Sequence, residues 1–251
     1  LYTPGKSNPR NYTPPKDVYV RYPEGLLTRN ISSYWRRYRL ASRLVKDGIE
    51  LFHGLSNEIP EGIQKTNVKS IVTIHDLIFM RLPHLYKPID RIIYKHKVRT
   101  SIEQADKIIA ISNQTSNDLV ELFGADKSKL HIVYQGCNPW FYKKVEKESA
   151  DVIRKKYNLP SEYLLYVGTI EERKDLLTII KALQRGNINL PLVAVGRKTA
   201  YFDDVLAYMK QHKISGVHFH HHIDNADLPA VYQQSLAFIY PSRYEGFGIP
   251  V

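Results

Sequence analysis

The sequence predicts an α/β protein built from two parallel-sheet domains. Short apolar runs alternate with longer amphipathic stretches, the pattern of repeated strand–helix–strand units. The alternation runs twice, on either side of Gly136 to Pro160, a stretch rich in Lys and Glu and short of buried-strand character. At 251 residues and 43% hydrophobic content, the chain has length and apolar mass for two modest cores.

Taken in order, the apolar runs predict strands at Val18–Tyr22, Ile49–His53, Val68–His75, Lys107–Ile111 and Leu130–Tyr134. They resume at Tyr163–Gly168, Pro191–Gly196, Val217–His220 and Leu236–Tyr240. Amphipathic periodicity predicts helices at Ser33–Lys46, Pro88–Gln104 and Asn113–Phe123, then at Asp175–Gln184, Tyr201–His212 and Ala226–Gln234. The division follows: a first domain over 1–136, a linker over 137–160 and a second domain over 161–251. Open parallel sheets bind ligands beyond the carboxyl ends of their strands. Gly168, Gly196, His220 and Tyr240 are placed at that edge, so function is expected to collect there.

Composition narrows the setting. No apolar run approaches the ~20 residues of a membrane-spanning helix. Cys137 is the only cysteine, which rules out an intrachain disulfide and suits a reducing, cytoplasmic compartment. The sequons at Asn11, Asn30 and Asn113 are then coincidental. The chain begins at Leu1 without a signal-peptide layout, and is read as a piece lacking both natural ends. The net charge of +11 is uneven. Residues 1–150 hold 24 Lys/Arg against 15 Asp/Glu, and residues 151–251 hold 12 against 10. Nucleic acid, anionic lipid and phosphorylated small molecules all suit the basic first half.

Four segments carry chemistry. In Tyr163-Leu-Leu-Tyr-Val-Gly168, followed by Thr-Ile-Glu-Glu-Arg173-Lys174-Asp175, a strand meets a glycine turn and a helix start, with Asp175 as N-cap. Cations before a helix gain nothing from its dipole. Arg173 and Lys174 therefore either answer an external anion such as a diphosphate, or form a solvated pair balanced by Glu171 and Glu172. In Pro241-Ser-Arg-Tyr-Glu245-Gly246-Phe247-Gly248-Ile-Pro250, a buried strand delivers a carboxylate and a glycine-bracketed loop. Glycines let main-chain N–H groups approach an anion closely, and Glu245 can accept hydrogen bonds from sugar hydroxyls. An inert loop glutamate is the bland alternative.

On the helix predicted over Ser33–Lys46, Arg36, Arg39, Arg43 and Lys46 share a face opposite Tyr34, Tyr38, Ala41 and Val45, and no acid interrupts Arg29 to Lys46. Lys87, Arg91, Lys95 and Arg99 form a second stripe. Both are either solvated faces or docking surfaces for anionic membrane or acceptor. Histidines 218, 220 and 222 share a strand face, with His221 opposite; no carboxylate or cysteine pattern accompanies them, so a metal site is not expected.

Together these segments resemble glycosyltransferase family 4, the large retaining group with the GT-B fold. The resemblance covers nearly the whole chain, most specifically Val167 to Asp175 and Glu245-Gly-Phe-Gly-Ile-Pro. Ile71-Val-Thr-Ile-His75-Asp76-Leu77 resembles the family's His-Asp after a buried strand. Ala105 to Ser112 resembles its helix end running into a serine-ended strand, and His53 falls where the family often has histidine. Two features depart. Thr169 stands where many members have arginine, and the family's first strand and glycine-rich loop do not precede Leu1-Tyr2-Thr3-Pro4. The family's second motif glutamate would fall at position 253.

The resemblance implies two Rossmann-like domains facing a cleft, both incomplete here. It further implies retaining, metal-independent transfer of a sugar from a GDP- or UDP-linked donor to a glycan or lipid-linked acceptor in surface polysaccharide synthesis. Mannose is the first candidate, from Tyr134-Gln-Gly-Cys137 and Arg173-Lys174. His75, Arg173, Lys174 and Glu245 would be catalytic, and Gly168, Gly246, Phe247 and Gly248 would bind donor. No cofactor beyond the donor is implied, and the expected location is cytoplasmic, at the inner face of the membrane. With the position-253 contact beyond the chain, donor binding by residues 1–251 is expected to be weak. A GT-B epimerase or phosphorylase lacks motif support. A basic nucleic-acid-binding protein, stacking bases on Tyr34, Trp35 and Tyr38, explains the charge but not Glu245-Gly-Phe-Gly. A catalytically inactive GT-B scaffold remains an alternative.

Overall fold

β-Branched and aliphatic runs buried on both faces are what a parallel sheet requires, and eight of them form two sheets in the computed structural model. It describes residues 1–3, 15–23 and 32–250, in two units, Leu1–Tyr134 and Gln135–Val251. Pro4, Asn11, Arg29 and Asn30, named above, lie outside the described residues.

In the first unit, β1 (Leu51–Gly54), β2 (Lys69–Ile74), β3 (Lys107–Ala110) and β4 (Leu130–Ile132) pair in sequence order, all parallel. Helix α1 (residues 32–46) precedes β1. The short α2 (Ile78–Arg81) and the long α3 (Pro88–Gln104) connect β2 to β3, and α4 (Asn113–Phe123) connects β3 to β4. Val72, Ile74, Ile108 and Ala110 are fully buried beneath Leu44, Val98, Ile102 and Leu119 from the helices. Helix α4 is delimited by its own chemistry: the Ser112 hydroxyl accepts from the Thr115 N–H, and Gly124 closes the helix with φ +65°.

The second unit holds α5 (Lys147–Lys156), β5 (Leu164–Val167), α6 (Leu176–Arg185), β6 (Leu192–Val195), α7 (Tyr201–Gln211), β7 (Val217–His220), α8 (Leu228–Gln234) and β8 (Ala237–Phe238). Its sheet order is β7-β6-β5-β8, again all parallel. Alternation along the strands sends Leu164, Tyr166, Leu192 and Ala194 into one core, with Leu176, Ile180, Phe202 and Val205. Tyr163, Leu165, Val193 and Val195 enter the other, with Leu159 and Val231. The chain runs outward from β5 to β7 and then returns to β8 on the far side of β5. The order reverses there, so the crevice between β5 and β8 is a topological switch point.

Four expectations need correction. Val18–Tyr22 is no strand; it makes an isolated bridge, Tyr2 to Arg21. Tyr19 projects into solvent at 76% exposure, so the run lacks the burial that makes apolar alternation a sheet signal. The 33–46 helix contains a π segment, Trp35–Arg39, which rotates the later residues relative to a regular helix. Its buried face is Trp35, Leu40, Ala41 and Leu44, while Tyr34, Tyr38 and Val45 are exposed. Nor is the basic stripe an unneutralised face, because one acid arrives from the loop after β1 and another follows one turn on. Arg36 pairs with Glu58 at 3.3 Å and Arg43 with Asp47 at 2.9 Å, leaving Arg39 and Lys46 in solvent. Finally, residues 137–160, expected as a linker, lie within the second unit. They fold as a 3-10 turn (Pro139–Tyr142) and α5, whose Ile153 joins Tyr157 and Leu159 against the second unit's core.

Candidate functional site

The switch point gathers the second unit's polar side chains. β5 ends at Val167 and Gly168 turns the chain, so Arg173 and Lys174 sit on a 3-10 turn, Glu172–Lys174, ahead of α6. Across the crevice, β8 leads to Tyr240 and the loop carrying Ser242 and Glu245. The two loops are joined at the backbone, where the Arg243 N–H donates to the Arg173 carbonyl at 2.9 Å. Arg243 also pairs with Asp175 at 3.1 Å. Asp175 does occupy the N-cap position, but in the left-handed region (φ 49°) and without a side-chain cap. Its carboxylate is engaged by Arg243 and the Tyr201 hydroxyl instead.

Arg173 and Lys174 are neighbours in sequence and opposites in environment. Arg173 is spent internally: Nη1 lies 2.5 Å from Oε1 of Glu245 and donates to the Tyr244 carbonyl at 2.7 Å, and Nη2 donates to Glu171 at 2.7 Å. Burial opposes this charge, but the two carboxylates prevail and hold the guanidinium above its usual pKa. Lys174 makes no ion pair with any carboxylate among the described residues. Its ammonium lies 5.3 Å from the centre of the Tyr240 ring and packs against Gly168. Burial pushes its pKa down. The nearby Arg173 charge acts with burial, and the charges of Glu245 and Glu171 oppose it without outweighing it.

Glu245 is arranged asymmetrically. Oε1 accepts from Tyr240 and Ser242 at 2.8 Å each and from Arg173, while no hydrogen bond reaches Oε2 among the described residues. Burial alone would raise this carboxyl, but the hydroxyls of Ser242 and Tyr240 and the Arg173 charge outweigh it and hold the pKa below its usual value. Oε2 thus remains a charged acceptor at the mouth of the crevice. Gly246 is buried, Phe247 is 38% exposed and Gly248 takes φ +88°, where only glycine is unstrained. A second glycine requirement is hidden deeper: a Cβ on Gly196 would stand 1.8 Å from the Gly168 carbonyl oxygen.

His75 belongs to the first unit, at the carboxyl end of β2. Its ring Nε2 lies 2.7 Å from the Leu55 carbonyl and its backbone N–H donates to the Asn57 side chain at 2.7 Å. A carbonyl only accepts, so Nε2 carries the proton. The Asp76 carboxylate accepts from the Ile78 N–H and starts α2. Beside it is a cavity of about 180 Å³ lined by Asp76, Asn57, Phe79, Tyr86, Tyr94 and Lys97. His53 is held apart by the Thr73 hydroxyl at 2.7 Å. β7 ends at His220, so His221 and His222 fall in the following turn, against Phe202 and Asp224 respectively. No group of three His, Cys, Asp or Glu residues converges among the described residues.

The sequence patterns therefore placed Gly168, Arg173, Lys174 and Glu245 in one crevice, and the fold brings them there. They did not reveal Asn57 or the Phe79–Tyr86–Tyr94 cavity, which arise from the packing of α2 and α3 over β2 and have no local signature. Tyr240 was placed at the strand edge but not matched to Lys174; its position opposite Gly168 across the switch point was the available signal.

The Glycosyltransferase Family 4 sequence profile matches residues 1–141, and the profile described as Glycosyl transferases group 1 matches residues 149–251. The chain belongs to glycosyltransferase family 4. Among its relatives, O-antigen chain mannosyltransferase B of Escherichia coli is 27% identical over 223 residues, covering 86% of this chain and 56% of the relative. O-antigen chain mannosyltransferase RfbU of Salmonella typhimurium is 23% identical over 180 residues, covering 71% and 47%. The chain thus spans about half the length of the curated relatives it matches. Its fold is that of GT-B glycosyltransferases. A glycosyltransferase from Rickettsia africae superposes with a TM-score of 0.67 at 16% identity, over 94% of this chain and 62% of that one. Anabaena HepE, solved with UDP and glucose, gives 0.64 at 15%, over 91% and 62%. This family 4 chain therefore carries its glycine turn, basic pair and Glu245 on the sheet of the group 1 half, and His75 on that of the other.

Proposed function

We propose that this chain is part of a retaining glycosyltransferase that moves a sugar from a nucleoside-diphosphate donor to a glycan or lipid-linked hydroxyl in surface polysaccharide synthesis. The observation that carries the reading is Lys174, a half-buried ammonium on the Tyr240 ring that no carboxylate ion-pairs among the described residues, at the switch point where Tyr240 also holds Glu245. When the bond from the anomeric carbon breaks, its electron pair leaves on the diphosphate. A desolvated, preorganised cation stabilises that charge where it develops. Lys174 fills this role. Arg173 contributes positive potential while fixing Glu245, whose Oε2 accepts a hydroxyl of the transferred sugar. The N–H groups around Gly246 to Gly248 and the turn at Gly168 approach the donor, and His75 contacts the sugar.

Because the cations supply the charge, transfer is proposed to proceed without a divalent metal or other cofactor. The names of the O-antigen mannosyltransferases make GDP-mannose the first donor to test, with the acceptor met at the cytoplasmic face of the membrane. Thermal-shift titration against GDP-mannose, UDP-glucose and ADP-glucose, followed by transfer of labelled sugar in the presence of a chelator, tests the reading. Stabilisation by one donor and chelator-resistant transfer support it; indifference to all three donors would overturn it.

A further inference from the structure

β2 ends at Ile74, so His75 lies just beyond the strand ladder. Side chains hold its backbone instead. Oδ1 of Asn57 accepts from its N–H at 2.7 Å, and the Thr115 hydroxyl donates to its carbonyl at 3.2 Å. The cap of α4 orients that hydroxyl: Ser112 Oγ donates to Thr115 Oγ1 at 3.1 Å and accepts from the Thr115 N–H at 3.0 Å. Three residues on, along the same face of α4, Asp118 accepts from Nε and Nη2 of Arg81 at 3.0 and 2.7 Å and from the Gln114 amide at 2.9 Å. Arg81 is the last residue of α2, the four-residue helix that follows His75 and Asp76. Helix α4 thus holds the segment from His75 to Arg81 at both ends.

Thr115 and Asp118 are fully buried beside Leu119 on the inward face of α4. A buried hydroxyl or carboxylate must recover its desolvation through hydrogen bonds, and apolar side chains of similar volume often stabilise as well as a buried ion pair does. Stability alone therefore gives little reason for two polar groups at these positions. Geometry gives one. A four-residue helix has too few hydrogen bonds of its own to fix its place, so α2 and the backbone at His75 take their direction from tertiary contacts.

We propose that Thr115 and Asp118 are positioning residues that aim the His75 imidazole. Thr115 fixes the carbonyl of His75 itself, and Asp118, through Arg81, fixes the helix that follows. The inference rests on the reading of His75 as a contact of the transferred sugar and deepens it. A misplacement of about 1 Å at such a contact is enough to cost about 10²-fold in rate.

Thr115→Val keeps the branched shape of the side chain and removes the hydroxyl, and Thr115→Ser restores it. In the full-length enzyme Thr115→Val should lower turnover about tenfold, with the donor KM within about twofold, and Thr115→Ser should recover most of the loss. Asp118→Asn, which weakens the hold on Arg81, should act in the same direction, and it carries the same readouts should Thr115→Val fail to fold. The deciding comparison is made in His75→Ala, where neither substitution should cost anything further. Nitrogen-15 spectra of the histidine rings in the whole chain, with His75→Ala identifying the His75 signals, should show those signals displaced in Thr115→Val and returned in Thr115→Ser. Undiminished losses in the His75→Ala background, or His75 signals unmoved in both Thr115→Val and Asp118→Asn, would overturn the proposal. A parent enzyme that transfers no sugar from any donor would sink the transferase reading alone, and the ring spectra would still decide the positioning.

Discussion

Oε1 of Glu245 stands 2.5 Å from Nη1 of Arg173, and the same oxygen takes the hydroxyls of Tyr240 and Ser242. The pair closes the crevice between β5 and β8 and separates the two adjacent cations into different roles. Arg173 is ion-paired with Glu245 and Glu171, whereas Lys174 makes no ion pair among the described residues and lies on the Tyr240 ring.

Arg173→Ala and Lys174→Ala should therefore part company. Removing Arg173 strands a half-buried carboxylate, with an expected loss of about 1–3 kcal/mol. Removing Lys174 relieves a desolvated charge and should leave stability within about 0.5 kcal/mol, yet lower turnover about 10²–10³-fold. Chemical denaturation paired with transfer rates in the full-length enzyme distinguishes them. Unchanged turnover in Lys174→Ala would remove this residue from the chemistry.

The pH dependence follows from the direction of each shift. Burial lowers the Lys174 pKa, so the free site releases its proton at lower pH than an ordinary lysine. A bound diphosphate favours the charged form, so binding should take up a proton on the alkaline side and weaken as pH rises through the lowered value. Calorimetry in two buffers of different ionisation enthalpy reads this uptake directly, and Lys174→Ala should abolish it.

Glu245 gives the opposite limb. Its pKa is held down in the folded chain, so its contribution is fully present above the unfolded carboxyl value and is lost as pH falls through the folded one. Glu245→Gln should flatten the acid side of the stability curve. Urea midpoints measured between neutral and acid pH would show an unaltered slope if the carboxylate were not ionised in the fold.

How much of this was legible in the sequence depended on whether the signal was local. Tyr163–Gly168 could be read as a strand because its apolar run is continuous, and Val68–His75 because Val72 and Ile74 cluster with Ile71; these residues are largely buried. Val18–Tyr22 is also rich in β-branched and aromatic residues, but no burial supports it. The basic residues show the limit most clearly. Sequence treats Arg173 and Lys174 alike, and Arg36 and Arg43 as members of a free stripe. The carboxylate partners of Arg173 and Arg36, Glu245 and Glu58, are set by packing, whereas the Arg43–Asp47 pair is a local i,i+4 contact.

His75 offers a test confined to the first unit. Its ring is anchored by the Leu55 carbonyl and its backbone by the Asn57 side chain, which hold the imidazole in place. His75→Ala should lower transfer about 10²-fold, with donor affinity within about twofold. Fluorescence titration with the nucleoside diphosphate alone measures the second quantity, and loss of that binding would place His75 in the wrong site.

Two glycines test the crevice itself. A Cβ on Gly196 meets the Gly168 carbonyl oxygen at 1.8 Å, whereas a Cβ on Gly168 meets the Lys174 side chain, at 3.1 Å from Cδ and 3.3 Å from Nζ. Backbone cannot move aside without disturbing the β5–β6 pairing, but the end of a lysine can. Gly196→Ala should then destabilise the second unit by about 1–3 kcal/mol or more. Gly168→Ala should keep the fold, with Tm shifted by no more than about 4 °C, and lose donor affinity because the ammonium is displaced from the Tyr240 ring. If Gly168→Ala binds donor as the parent chain does, the seat of Lys174 on Tyr240 is packing and not a site, whatever the outcome at Gly196.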